Sequence, residues 1–507
     1  MYMTQCLQRT LQQNPDHLAT IFAERRHTYR EFGERVARLA GALQSLGMAA
    51  GERVGMLALN SDRYLEYIMG VWWGGGVLNP VNVRWSVPEI VYSLDDCSTA
   101  ILIVDEHFAA LAEEFHKTTR HAPQFIYAGE GEVPAGMLGF EQLIAQAHPV
   151  EDAGRGGADL ACIMYTGGTT GFPKGVMQSH LNLWSACMPR MVDMPPIRGG
   201  LLLHVAPLFH VAGLARALIQ FLAGESHVLV SGFDALQTLQ IIEQERVTET
   251  LLVPTMILAL LAHPDFERYD LSSLKRLTYG ASPSAGDMVE QVLARFPDIE
   301  LSHSYGLTEA CPVVSSNLPC NHTPEARISG LSRSVGRGGL GVNVKIVDPQ
   351  GHEVPRGTVG EIIVRGPNIM QGYWNKPEET AKAVRNGWLY TGDGAWMDEQ
   401  GYLFIVDRLK DMIVSGGENV YSAEVENVLA RHPAVAQCAV IGIPHAQWGE
   451  AVHAVVVCKP GSQVDAEQLR LYCREFIAAY KCPKTIEFRD ELPLSAAGKV
   501  LKRELRK

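Results

Sequence analysis

The alternation of two hydrophobic periods over the first hundred residues constrains this chain most. From Tyr29 to Leu46 the residues Phe32, Val36, Leu39, Ala40 and Leu43 recur at helical spacing, and Gly47 ends the run. Arg53 to Leu59 then has the character of a short buried strand. Asn60 or Ser61 can cap a helix reaching Trp73, and Gly74, Gly75 and Gly76 break it. Val77 to Val81 and Ala100 to Val104 are further strands, with a helix over Pro88 to Leu94 between them. Strands joined through helices pair in parallel, and the helices then cover the sheet. The expected fold class is α/β.

A polar, glycine-rich stretch from Glu151 to Gly157 separates this region from the next, where Glu249 to Val253 and Lys275 to Tyr279 have strand patterns. From Ser334 to Val364 the pattern changes to short β runs with turn residues, Asn343 to Val347 and Gly360 to Val364 among them, which implies a small β unit attached to the sheet core. The last hundred residues restart with a helix over Ala423 to Leu429 and strands over Ala436 to Ile441 and Val452 to Val457. They are expected to form a small mobile α+β domain of their own, joined near Asp407 to Asp411. The expected division is residues 1–407 as a large N-terminal domain, 408–411 as a hinge and 412–507 as the C-terminal domain. A length of 507 residues has room for this many units.

Charge and cysteine usage narrow the functional classes. Asp plus Glu is 56 against 44 Lys plus Arg, a net charge of −12, which disfavours a general nucleic-acid binder. The 10 cysteines are scattered without a CxxC pair or a zinc-site spacing, so reduced, buried thiols in a cytoplasmic protein are expected. The N-terminus lacks the charged-then-apolar layout of a signal peptide. The most apolar window, Leu201 to Gly224, is interrupted by His204, Pro207, His210 and Arg216, so no transmembrane segment is expected.

The most informative stretch runs from Tyr165 to Val176: Thr166, Gly167, Gly168, Thr169, Thr170, Gly171, Phe172, Pro173, Lys174, Gly175. Glycines permit close backbone approach, so consecutive N–H groups can converge on one anion. Threonine hydroxyls add donors and Lys174 a mobile positive charge, which suits polyphosphate. The order is not that of a P-loop, since no GK[ST] follows at the required distance. It resembles the phosphate loop of the acyl-activating, AMP-forming enzyme superfamily, in particular the fatty-acyl and aryl-CoA ligase branch of acyl-CoA synthetases. The usual family form has Ser where Gly168 stands, which removes one hydroxyl donor and implies altered ATP affinity rather than lost function. The resemblance extends over nearly the whole chain, because later signatures follow in family order.

Within Ser304-Tyr305-Gly306-Leu307-Thr308-Glu309 the resemblance implies that Glu309 is an oxygen ligand for Mg²⁺, that Thr308 contacts phosphate and that Tyr305 packs on adenine. The same resemblance makes Gly280, Ala281 and Ser282 another wall of that site and sets Gly306 beside the acid. A carboxylate beside a triphosphate is unfavourable unless a cation intervenes, which gives Glu309 its physical sense. In Tyr390-Thr391-Gly392-Asp393 the family places Asp393 on the ribose hydroxyls, joined by Arg408. Lys410 occupies the hinge position. In Leu494-Ser495-Ala496-Ala497-Gly498-Lys499 the resemblance assigns Lys499 to the developing charge during adenylation.

Two segments concern the acid and the thiol. His204 to His210, followed by Val211 and Gly213, resembles the segment beside the acyl pocket, where His210 borders the reacting carboxylate. Gly416 and Gly417 resemble the loop lining the thiol tunnel, and Ser422 replaces a proline common at that point, a minor change in stiffness. The implied reaction is a two-step ligation: a carboxylate and ATP give acyl-AMP and pyrophosphate, and the coenzyme A thiol then displaces AMP. The apolar local residues, with no arginine in these segments to pair a second carboxylate, put a medium- or long-chain fatty acid first and an aryl acid such as a benzoate or cinnamate relative second. A carrier protein in place of coenzyme A is a rival acceptor, and a luciferase-like oxygenase a more distant rival. A non-catalytic nucleotide or acyl-CoA sensor is the rival from another class. A homodimer is the working assumption for assembly. Lys499→Ala is expected to abolish adenylation while largely sparing thioester formation from supplied acyl-adenylate. Assaying the half-reactions separately checks this, and equal loss in both contradicts the assignment.

Overall fold

Local capping sets the first helices. Thr28 accepts from the Glu31 amide while the Glu31 carboxylate receives the Thr28 amide, so the helix Tyr29–Ser45 starts with two of its orphan donors satisfied. Ser61 caps the helix Asp62–Trp73 by accepting from the Tyr64 amide. The strand Arg53–Leu57 lies between Val77–Pro80 and Ile101–Val104 and pairs in parallel with both, as the alternation predicts. The structure, a computed structural model, describes residues 1–166, 172–280, 288–409, 411–415, 418–445, 447–494 and 500–506.

Among the described residues two large sheets share one layer of helices. The first sheet runs Arg337–Gly338, Val313–Asn317, Glu300–Gly306, Arg276–Gly280, Glu249–Leu252, Leu201–His204, Ser226–Leu229, Leu18–Phe22 and Arg25–Thr28. The second is centred on Lys174–Ser179, Leu160–Thr166, Val77–Pro80, Arg53–Leu57 and Ile101–Val104. Period-two alternation divides each strand between layers. Ile101 and Ile103 face the shared core, whereas Leu102 and Val104 face an outer cluster covered by the helix Val87–Asp96. The shared core takes side chains from the helices Tyr29–Ser45, Asp62–Trp73, His180–Asp193 and Val211–Ala223. Every residue of Asp62–Trp73 is buried. The outer face of the first sheet is covered separately, with Leu277, Tyr279 and Leu301 packing against the helices Ala235–Gln244, Pro254–Leu261 and Met288–Arg295.

The predicted β unit is a third, antiparallel sheet containing Asn343–Val347, Gly360–Arg365, Trp388–Met397 and Leu403–Arg408. The C-terminal region has its own sheet, in which Val435–His445 pairs with Gly449–Cys458 beneath the helices Ser422–Leu429 and Ala466–Phe476. The large N-terminal and small C-terminal domains of a mixed α/β fold are therefore both present. The apolar window from Leu201 divides into the strand Leu201–His204 and the helix Val211–Ala223, and among the described residues no helix is long and apolar enough to cross a membrane. The thiols correct the sequence expectation in part. All 10 cysteines are free, but Cys320 is exposed and Cys438 and Cys458 are half-buried, because they stand at the surface of their elements rather than in the shared layer.

Burial in the shared layer holds histidines neutral. His180 accepts a hydrogen bond from the Met3 amide on Nδ1, and desolvation lowers its pKa to about 4. The unfolded chain, with an ordinary histidine pKa near ~6.5, then binds the extra proton first as pH falls, so this site withdraws stability between roughly pH 6.5 and 4. His180→Asn keeps an acceptor without the titration. Its unfolding free energy is expected to fall less steeply with acidification than that of the wild type, by about 1.4 kcal/mol per pH unit in that window. Urea titrations at several pH values check this, and identical pH slopes contradict it.

Candidate active site

The parallel pairing of the strands Arg276–Gly280 and Glu300–Gly306 ends at Gly280 and Ser304, which are register partners. A Cβ on Gly280 would collide with the Ser304 carbonyl, and one on Gly306 with the Pro312 carbonyl, so both glycines are required for these chain ends to approach. Tyr305, between them, is buried, and its hydroxyl donates to Asp393 Oδ2 at 2.7 Å. Asp393 comes from the third sheet, where it stands opposite Arg408 across an antiparallel pair. The Arg408 Nε–Asp393 Oδ1 distance is 3.0 Å. Burial and the adjacent carboxylate push the Tyr305 hydroxyl well up, and the same carboxylate raises the Arg408 guanidinium. Tyr305, Asp393 and Arg408 thus form one connected group built from two sheets.

A second group lies in the same buried cluster, which holds Val176, Tyr305, Ala310 and Tyr373 together. Glu309 sits in the 3₁₀ turn Thr308–Ala310, and its Oε1 accepts from the Tyr373 hydroxyl at 2.8 Å. Lys174 Nζ stands 4.6 Å from the Tyr373 ring centroid and 3.2 Å from Glu379. The Thr308 carbonyl accepts from Gln178 Nε2 at 2.9 Å. Thr166 and Lys174 are cross-strand partners at the end of the antiparallel pair that flanks the glycine-rich segment in sequence.

The third group is at the start of the helix Val211–Ala223. His210 is the N-cap residue, its ring centroid 4.6 Å from that of Phe209. Asn60 pins the preceding loop, donating to the Ala206 carbonyl at 3.0 Å and accepting from the Leu208 amide at 2.8 Å. Val211 is buried in the same cluster as Cys311, two residues beyond Glu309. Gly213 packs directly on the Pro207 carbonyl, where a Cβ would collide. The N-terminus of this helix supplies unpaired backbone donors and a favourable field for a carboxylate.

The structure therefore brings together Thr166, Lys174, Gly280, Tyr305, Gly306, Thr308, Glu309, Asp393 and Arg408, with His210, Val211 and Gly213 on the adjoining helix. Gly167, Gly168, Thr169, Thr170, Gly171, Ala281, Ser282, Lys410, Gly416, Gly417 and Lys499 lie outside the described residues. Sequence reasoning missed Tyr373, Gln178 and the clamping role of Asn60, whose partners are distant in sequence; a tyrosine in Gly372-Tyr373-Trp374 carries no local signal of its contact with Glu309. Among the described residues no cluster of three or more His, Cys, Asp or Glu could hold a metal by itself. One carboxylate, Glu309, with one oxygen engaged by Tyr373, suits a Mg²⁺ held chiefly by phosphate oxygens of a bound nucleotide.

Residues 7–374 match the family model described as AMP-binding enzyme, and residues 424–499 match that of the AMP-binding enzyme C-terminal domain. The chain belongs to the AMP-binding enzyme family. It is 40% identical to a feruloyl-CoA synthase of an Amycolatopsis species, covering 95% of this chain and 93% of that protein. It is 33% identical to a long-chain-fatty-acid–CoA ligase of Bacillus subtilis, covering 97% and 91%. The crystal structure of an anthranilate–CoA ligase in complex with anthranoyl-AMP superposes with a TM-score of 0.93 at 30% identity, covering 100% of this chain and 96% of that one. The chain is an AMP-forming acid–CoA ligase, and such adenylate-forming ligases use ATP, Mg²⁺ and coenzyme A.

Tyr305→Phe keeps the ring of the ligase's buried tyrosine but leaves Asp393 Oδ2 without its donor. It is expected to lower stability by about 1–2 kcal/mol and to raise the KM for ATP severalfold. Thermal unfolding with and without ATP, together with steady-state kinetics, checks both; a variant unchanged in both contradicts the coupling.

Proposed function

We propose that this ligase activates a compact aryl or arylalkenoic acid as its acyl-adenylate and transfers it to coenzyme A. The reading is carried by the convergence of the Tyr305–Asp393–Arg408 and Lys174–Tyr373–Glu309 groups at the strand ends, beside the helix start at His210. In the first half-reaction the carboxylate oxygen attacks the α-phosphorus of ATP and pyrophosphate leaves. Tyr305 packs against the adenine, and Asp393, steadied by Arg408 and the Tyr305 hydroxyl, accepts from the ribose hydroxyls. Thr166, the glycine-rich segment that follows it and Lys174 hold the phosphates, and Thr308 stands with them. Glu309 would hold Mg²⁺, which when bound neutralises phosphate charge. His210 and the helix start place the carboxylate in line, so proximity and charge neutralisation carry the step without a side-chain nucleophile.

In the second half-reaction the small domain reorients about 408–411 and the thiol displaces AMP, with Gly416 and Gly417 leaving room for the pantetheine arm and Lys499 serving only the first step. We place the domain limits at 1–407 and 412–507. Ser422 supports a hinge at this point. Its amide and hydroxyl both donate to Asp407 Oδ2, the hydroxyl at 2.6 Å, tying the first helix of the small domain to the last residue of the large one. A proline there would supply neither donor, so Ser422 does more than alter stiffness.

The order of acids expected from sequence is reversed here. A long alkyl chain laid along the inner face of the first sheet from Gly280 would meet the buried guanidinium groups of Arg190 and Arg216, whereas an aryl acid would end beside them. The 40% identity to a feruloyl-CoA synthase favours the same choice over a medium- or long-chain fatty acid. Pyrophosphate and AMP release across benzoates, cinnamates and C8 to C16 acids, with and without coenzyme A, tests the reading. Coenzyme A-dependent turnover with aryl acids is the expected result, and preference for long-chain acids overturns the substrate while keeping the mechanism. Adenylation without coenzyme A turnover points to a carrier-protein acceptor.

A further inference from the structure

Residues paired in parallel register share a face of a sheet, so the inner face of the first sheet is ordered in rows. Gly280 stands with Ser304, Thr278 with Ser302, and Arg276 with Glu249 and Glu300. Successive rows are two residues, about 7 Å, apart. The first row borders the reaction centre. The second is hydroxylic and is met from the helix His180–Asp193 by Arg190, whose Nη2 donates to Thr278 Oγ1 at 2.9 Å and Nη1 to Ser302 Oγ at 3.3 Å. Arg190 is 4% exposed, and its Nε has no hydrogen-bond partner.

The charges around it do not balance locally. Glu249 serves both Arg216, at 3.3 Å, and Arg276, at 3.2 Å, while Glu300 serves Arg276 alone. Among the described residues no carboxylate lies within ion-pair distance of Arg190. Burial and the neighbouring Arg216 and Arg276 push the Arg190 guanidinium well down from its ordinary range. A buried cation met only by two hydroxyls gains from any further acceptor brought to it. Arg216, one helical turn beyond Gly213, lines a small cavity together with Gly213, His204 and Leu251, beside the helix Val211–Ala223.

We propose that Arg190, held by Thr278 and Ser302, closes the far end of the acyl pocket and recognises an oxygen acceptor on the distal end of the acid, either a phenolic or methoxy oxygen or a second carboxylate. The assignment rests on the ligase reading above and deepens it. An acceptor one row, about 7 Å, below the reaction centre fits an acid carrying one aromatic ring on a short stem, with its oxygen opposite the reacting carboxylate. Arg190 is here a specificity-determining residue, distant from the bonds that change.

The test compares kcat/KM for cinnamate, 4-hydroxycinnamate, 4-carboxycinnamate and octanoate, with ATP, Mg²⁺ and coenzyme A, in the full chain and its variants. The wild type is expected to favour one of the two oxygen-bearing cinnamates over cinnamate by roughly tenfold or more, and which one identifies the acceptor. In Arg190→Met that ratio is expected to collapse to within about twofold, chiefly through KM, with partial recovery in Arg190→Lys. A ratio of two acids on one preparation is insensitive to the folded fraction. If Arg190→Met does not fold, Thr278→Val removes one of the hydroxyls and is expected to reduce the ratio severalfold. A wild-type ratio near one, preference for octanoate, or a ratio that survives these substitutions overturns the assignment alone. Silence on every acid, together with the full panel above, brings down the aryl-acid reading and this assignment with it.

Discussion

Two sheets share one helical layer, and that layer excludes water; most of the molecule's chemistry follows from this. A charge placed there must bring its own partner. Asp62 and Glu66, on a helix whose every residue is buried, each receive a forked guanidinium: Arg25 on Asp62 at 2.7 Å and Arg35 on Glu66 at 2.6 Å. Histidines in the layer are held neutral, as at His180, His204 and His227. The sandwich therefore tolerates ionic groups only as closed pairs, and an open one stands out as an exception that needs a reason.

The proposed active site sits where the sandwich stops. Parallel strands deliver backbone to one edge, and Gly280 and Gly306 let neighbouring chain segments close to distances no side chain would allow. In the mechanism proposed above, function comes from residues that other sheets bring to that edge: Asp393 and Arg408 from the third sheet, Lys174 from the second, and Tyr373 from its margin. Because the groups belong to different sheets, their geometry depends on the packing between sheets more than on any one loop. The chemistry asks for little else. Two reactants held in line with their charge offset need no activated nucleophile, and no Ser–His–Asp or Cys–His set is required of this architecture.

What could be read in the sequence was local. The capped helices, the parallel strands and the signatures around Lys174, Glu309, Asp393 and Lys499 are each written in a few consecutive residues. The contacts that join them are not. Tyr305 and Asp393 are 88 residues apart and Glu309 and Tyr373 64 apart, and neither member of a pair announces the other. Ser422 reads in sequence as a minor change in stiffness because its partner, Asp407, is recognisable only once the helix Ser422–Leu429 is seen to start against it. Arg190 was invisible for a different reason. An arginine in the last turn of a helix ordinarily complements the helix dipole at the surface, and nothing in its neighbours reveals that this one turns inward.

That inward turn has an energetic logic. Two hydroxyls are weak compensation for a desolvated guanidinium, and a carboxylate partner within the protein would have stabilised the fold more. Leaving the group partly satisfied gives up some stability and gains discrimination. A site whose buried donor is completed only by the correct substrate rejects an analogue lacking the acceptor far more strongly than an apolar pocket rejects one methylene. The same polar end would disfavour an alkyl chain, which can supply no acceptor and would strip the guanidinium of what solvation it has. In a fold whose reaction centre is common to many acids, selectivity is most economically placed one row away, where a residue can change without disturbing the ends of the strands.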